Sequence, residues 1–111
     1  MNRDEASLMT ILREISSVPG MMKGYSLERF LKSEKTQKAI CMTLLNIGEL
    51  VKGISDDFKS RNPSVSWKEI AGLRDITAHK YHSLNMERVW TTAKIDIPEL
   101  KRQIIDLMDD K

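Results

Sequence analysis

The apolar positions of this chain recur at steps of three and four almost from end to end, and nothing alternates as a strand should for more than a few residues. Leu8, Ile11, Leu12, Ile15 and Val18 mark a first amphipathic helix, which Pro19-Gly20 is expected to stop. Ser26 can cap a short helix carrying Leu27, Phe30 and Leu31, its hydroxyl accepting one of the first free N–H groups. Ser33 precedes a long element with Ile40, Leu44, Ile47, Val51, Ile54 and Phe58. Their alternating steps of four and three make a seam suited to packing against other helices. Gly48 and Gly53 lower its propensity and point to a close helix approach or a late bend.

Arg61-Asn62-Pro63-Ser64 reads as a loop, because Pro63 disfavours helix at the residue before it. Ser66-Trp67-Lys68-Glu69 has the form of a capping box and opens a helix whose buried side is Trp67, Ile70, Leu73 and Ile76 or Thr77. After a short link at Ser83-Leu84-Asn85, Asn85 can cap a helix through Met86, Val89 and Trp90. Asp96, with Pro98 two residues later, suggests a break or restart, and Ile97, Leu100, Ile104, Leu107 and Met108 carry the apolar face onward. The expected fold is all-α: one domain over residues 1–111, an up-and-down bundle of four main helices plus short ones.

Composition narrows the function more than the fold. At 111 residues, 41% apolar and 31% charged, the chain can support its own core, though a dimer would help it. No run of about 18 apolar residues offers a membrane span. Met1-Asn2-Arg3-Asp4-Glu5 leads into an amphipathic pattern, not the apolar centre of a signal peptide. Cys41 is the only cysteine, so no internal disulfide forms and a reducing cytoplasm is the expected location. The seven methionines suit an adaptable core or a subunit interface. A formal charge of +2 excludes the large basic excess of a dedicated nucleic-acid binder. Between Lys52 and Lys94, however, eight basic residues face five acidic ones, which fits transient phosphate contact as well as ordinary solvated helix faces.

Catalytic-grade side chains concentrate in one place, Leu73-Arg74-Asp75-Ile76-Thr77-Ala78-His79-Lys80-Tyr81-His82, which holds both histidines. On a continuous helix turning about 100° per residue, Arg74 and His79 would point about 140° apart and Arg74 and Tyr81 would nearly align. Asp75, His79 and His82 would form a neighbouring stripe. Each residue also has a plain structural reading. Arg74 could be solvated or ion-paired, His79 could favour a helix C-terminus, and Asp75 with His79 could be a simple i,i+4 pair. Tyr81 could be an interface aromatic. An Asp/His/His metal site is conceivable but would need a fourth ligand. Cys41, inside the long helical run, reads as a buried small residue and not as a nucleophile.

The string Arg74-x4-His79-x-Tyr81 resembles the signature of HepT-like proteins, members of the helical HEPN (higher eukaryote and prokaryote nucleotide-binding) superfamily. Further landmarks resemble the family in the same order: Arg3-Asp4, Glu34-Lys35-Thr36-Gln37, Asn46-Ile47-Gly48-Glu49, Pro63, Trp67-x-x-Ile70-x-Gly72, Val89-Trp90 and Ile97-Pro98-Glu99-Leu100. The resemblance implies a HEPN-like bundle that dimerises with its motif helices near a two-fold axis. It also implies the RNase toxin of a two-gene toxin–antitoxin system. The implied partner is a minimal nucleotidyltransferase that neutralises the toxin by transferring AMP to the motif tyrosine. Carried across, Arg74 and His79 are the catalytic pair and Tyr81 accepts AMP; the support expected from Asp75 rests instead on its own chemistry, a carboxylate able to hold the His79 tautomer. Asparagine is usual at position 75 and an aromatic at position 82, where this chain has Asp75 and His82.

These residues suit metal-independent RNA cleavage without a cofactor. Histidine can move the 2′-OH and leaving-group protons, and arginine holds phosphate oxygens bidentately. Two copies of Arg74 and His79 at a two-fold would supply both an acid and a base. A non-catalytic helical module that binds the transferase or a nucleotide is the alternative.

Overall fold

The computed structural model of the protein describes residues 2–76 and 81–109, and every regular element among them is helical. Asn2 opens α1 (Arg3–Met22) by accepting a hydrogen bond from the Glu5 amide at 2.8 Å. Pro19 does not stop this helix, contrary to the expectation from sequence. The chain stays helical for three more residues and turns only at Gly24, whose φ of +78° is costly for any other residue. A proline inside a helix removes one N–H donor, so the Ile15 carbonyl lacks its usual partner. Burial of Ile15 and Val18 holds the turn together nonetheless.

Ser26 and Ser33 cap α2 (Leu27–Leu31) and α3 (Glu34–Lys52), accepting from the amides of Arg29 and Thr36. α1 and α3 run antiparallel, with Asp4 beside Ser55, Glu14 beside Asn46 and Met21 beside Thr43. The long element expected to reach Phe58 breaks at Gly53, and Ser55 caps a separate α4 (Asp56–Arg61). Ile54 and Phe58 stay buried on the far side of the break, so the apolar seam survives the bend.

α5 (Trp67–Ala71) is short. Ser66 makes no side-chain cap, because its backbone turns differently (ψ 64°) and the Trp67 amide bonds to the Val65 carbonyl instead. The Trp67 indole N–H donates to the Asn62 carbonyl at 2.8 Å, and this bond anchors the helix start. The last arm is α6 (Met86–Thr91), a π turn at Thr92–Asp96 and α7 (Ile97–Asp109). Asn85 caps α6, accepting from the amides of Glu87 and Arg88. The Ile97 amide reaches back five residues to the Thr92 carbonyl, so the expected break near Pro98 is a widened turn and not a stop.

α1, α3, α5 with its following turn, and the α6–α7 arm enclose a common core centred on Leu8, Ile11, Phe30, Leu44, Ile47 and Ile104, all essentially inaccessible to solvent. Each such side chain contributes about 1.5–3 kcal/mol through removal from water. Among the described residues no helix is long and apolar enough to cross a membrane.

Candidate functional site

The platform of the site is α3. A Cβ at Gly48 would overlap the Arg74 amide nitrogen and lie 2.9 Å from the Leu73 carbonyl carbon, so only glycine admits the backbone that crosses here. That crossing backbone is a tight 3-10 turn, Gly72–Asp75, following α5 directly. Leu73 packs against the core while Arg74 and Asp75 stand exposed, and among the described residues neither makes an ion pair.

The expected continuous motif helix is not formed. Helical backbone ends at Asp75, and Ile76 is extended, with φ −72° and ψ 92°. The 100°-per-residue arithmetic therefore does not carry from Arg74 or Asp75 to the later motif residues. His79, with Thr77, Ala78 and Lys80, lies outside the described residues. The divergence of Arg74 from His79, the Asp75–His79 pair and the Asp75/His79/His82 stripe all rest on that position. Among the described residues no three His, Cys, Asp or Glu side chains gather as metal ligands would.

Tyr81 and His82 return in a second 3-10 turn, Tyr81–Ser83, their rings edge to face at 5.4 Å. The Tyr81 hydroxyl donates to Gln37 Oε1 at 3.4 Å, and Gln37 is itself held by donation from Nε2 to the Phe30 carbonyl at 2.9 Å. Lys38 Nζ sits 5.9 Å from the Tyr81 ring centre and pairs with Glu34 at 2.8 Å. That contact lowers the Glu34 pKa and raises that of Lys38. Burial pushes the Tyr81 phenol above its ordinary value of 10, with nearby Cys41 and Glu34 adding to the effect and Lys38 opposing it. Glu34 and Gln37 fall in one of the family landmarks, but nothing local ties them or Lys38 to Tyr81; their meeting is tertiary.

Tyr81 borders an open cavity of about 380 Å³, lined also by Lys38, Cys41, Met42, Leu45, Ile76 and His82. Met42 is 57% exposed and leaves an uncovered apolar edge there. Cys41 is buried as expected, and desolvation pushes its thiol up to about 11, far from a reactive thiolate. Two further cavities flank the α6–α7 arm. One, about 320 Å³, lies between the end of α1 and the π turn and has two lysines and no carboxylate in its lining. The other, about 440 Å³, lies against α5 and carries Glu69, Asp96 and Glu99 with Arg88.

The family described as ribonuclease HepT-like matches residues 11–107. Among similar proteins is "Putative RNase TTE0752" of Caldanaerobacter subterraneus, 37% identical over 98 residues that cover 88% of each chain. "Putative RNase MJ0127" of Methanocaldococcus jannaschii is 34% identical over 105 residues, 95% of this chain and 87% of its own. "Probable ribonuclease HepT" of Thermococcus cleftensis is 37% identical over 94 residues, 85% and 86% of the two chains. No solved structure matches. The family match takes in α3, the Gly48 crossing and the whole segment from Arg74 to His82, and the chain belongs to the HepT-like ribonuclease family.

Proposed function

We propose that the protein is the endoribonuclease toxin of a two-gene toxin–antitoxin system, cleaving RNA without a metal and silenced by AMP transfer to Tyr81. The observation that carries this reading is the family match, which spans Arg74, His79 and Tyr81 together. In support, Arg74 stands exposed on a turn fixed against Gly48, where a guanidinium can meet a phosphate. His79 takes the 2′-OH proton as the oxygen attacks phosphorus. A second His79, from another copy of the chain, protonates the departing 5′-oxygen, and the product is a 2′,3′-cyclic phosphate. Arg74 holds the non-bridging oxygens as charge builds. Asp75 assists by orienting His79.

The need for both an acid and a base is the reason for a homodimer, and the apolar edge at Met42 beside Tyr81 and His82 suits such contact. AMP on Tyr81 places bulk and negative charge beside the place of the RNA phosphate, which blocks substrate sterically and by like-charge repulsion. A minimal nucleotidyltransferase carries out the transfer: the Tyr81 oxygen attacks the α-phosphorus of ATP and pyrophosphate leaves. Incubation of the purified protein with RNA and EDTA tests the nuclease reading. Cleavage by wild type that Arg74→Ala and His79→Ala each abolish is the expected result. Undiminished cleavage by both variants would remove the motif from the mechanism. Tight transferase binding with no cleavage by wild type would favour the non-catalytic module, for which the carboxylate of Asp75 beside Arg74 speaks.

A further inference from the structure

The cavity at the end of α1 has the composition of a nucleotide-sized site. Its walls include the proline rings of Pro19 and Pro98 and the aromatic rings of Tyr25 and Trp90, and Lys94 and Lys101 complete it. Its volume of about 320 Å³ falls at the lower end of small-ligand sites. Lys94 Nζ stands 5.4 Å from the Trp90 ring centre, and neither lysine has a carboxylate partner among the described residues.

Position in the fold ties this cavity to the motif. The Tyr25 hydroxyl lies beside Ser33 and Thr36, while Tyr81 lies beside Gln37 and Lys38, so both aromatics flank the first turns of α3. The chain around that helix start, residues 23–38, carries five basic residues against two acidic ones. Arg29 covers the Tyr25 ring at 4.9 Å, and Lys23, Lys32 and Lys35 are exposed. Aromatic rings interleaved with cations are the means by which proteins hold single-stranded nucleic acid without reading its sequence.

We infer that this cavity is a distal RNA subsite, taking one base of the strand between Tyr25 and Trp90 with its phosphate on Lys94 and Lys101. The RNA then runs over the start of α3 to the motif. This inference rests on the ribonuclease reading, but its test does not depend on cleavage. Binding is measured by fluorescence anisotropy with 2′-O-methyl RNA, which lacks the attacking hydroxyl. Two labelled strands are compared, of about four and about twelve nucleotides, the longer able to span both sites.

In the Lys94→Glu/Lys101→Glu double variant, affinity for the longer strand is expected to fall roughly tenfold or more. Its salt dependence becomes shallower, and the loss for the short strand, which can still dock at the motif alone, is smaller. Tyr25→Ala, which leaves the charges in place, lowers affinity for the longer strand without changing the salt slope. Longer-strand affinity within about twofold of wild type in the double variant would overturn the subsite, as would wild type that binds neither strand. Free AMP that binds wild type and loses affinity in parallel, with the longer strand unchanged, would mark a mononucleotide site and also overturn it. Failure of the RNA and EDTA cleavage assay, with the anisotropy result as expected, would count against the nuclease mechanism alone.

Discussion

Gly48 lies directly under the Arg74 amide, so α3 and the turn bearing the candidate catalytic arginine meet backbone to backbone. Adding one methyl group there pushes against main-chain atoms that cannot rotate away. Gly48→Ala is expected to cost about 1–3 kcal/mol by urea unfolding, the range of overpacked cores. Gly20→Ala, inside α1 with nothing near its Cβ, is expected to gain roughly 0.5–1 kcal/mol. Equal effects of the two substitutions would contradict the crossing. Because the strain falls on the Arg74 turn, RNA cleavage by Gly48→Ala should decline even at temperatures where the protein remains folded.

The two tyrosines are expected to titrate in opposite directions from 10. Ser33 and Thr36 hydroxyls lower Tyr25, chiefly through Thr36, whereas burial raises Tyr81. Tyr25, with its folded pKa depressed, favours the native state above pH 10 and loses that contribution as pH falls through its folded value. Tyr81, with its folded pKa raised, supports the native state below pH 10 and loses that support as pH rises through its folded value. Absorbance titration of Tyr25→Phe and Tyr81→Phe separates them: the phenol left in Tyr25→Phe should ionise later than the one left in Tyr81→Phe. The reverse order would refute the assignment of environments.

Cys41 should be inert in the native state. Its thiol is buried and pushed up to about 11, so little thiolate exists at pH 8. Iodoacetamide at that pH is expected to modify the folded protein at least tenfold more slowly than the urea-unfolded chain. Comparable rates followed by mass spectrometry would show that the wall of the Tyr81 cavity opens readily.

Asn85 satisfies two amides at the start of α6 with one carboxamide oxygen. Asn85→Ala is expected to cost about 1 kcal/mol. Asn85→Asp should recover most of the loss, because a carboxylate accepts the same bonds and favours a helix N-terminus. Thermal unfolding of the three proteins checks the order.

How far each element could be foreseen depended on whether its cause was local. Ser26 and Asn85 cap where their spacing to the next apolar face predicts, since a cap and its amides lie within three residues. Ser66 has the same local form and does not cap, because Trp67 is tied to Asn62 and the backbone is set from behind. Pro19 failed to end α1 because packing of Ile15 and Val18 outweighs one missing hydrogen bond. The motif segment departed furthest from expectation. Its residue types suit a helix, yet Gly48 draws the backbone of Leu73 and Arg74 into a tight turn against α3. Of the candidate residues, Arg74, Asp75 and Tyr81 have defined surroundings, and His79 lies outside the described residues. No local pattern could pair Tyr81 with Gln37, forty-four positions away in sequence.

The π turn at Thr92–Asp96 has a further consequence. Within five residues it presents Lys94 to the lysine-bearing cavity and Asp96 to the carboxylate-bearing one. The arm therefore separates a cavity lined by two lysines and no carboxylate from one in which three carboxylates accompany one arginine. One widened helical turn thus hands side chains of opposite charge to opposite faces of the same thin wall.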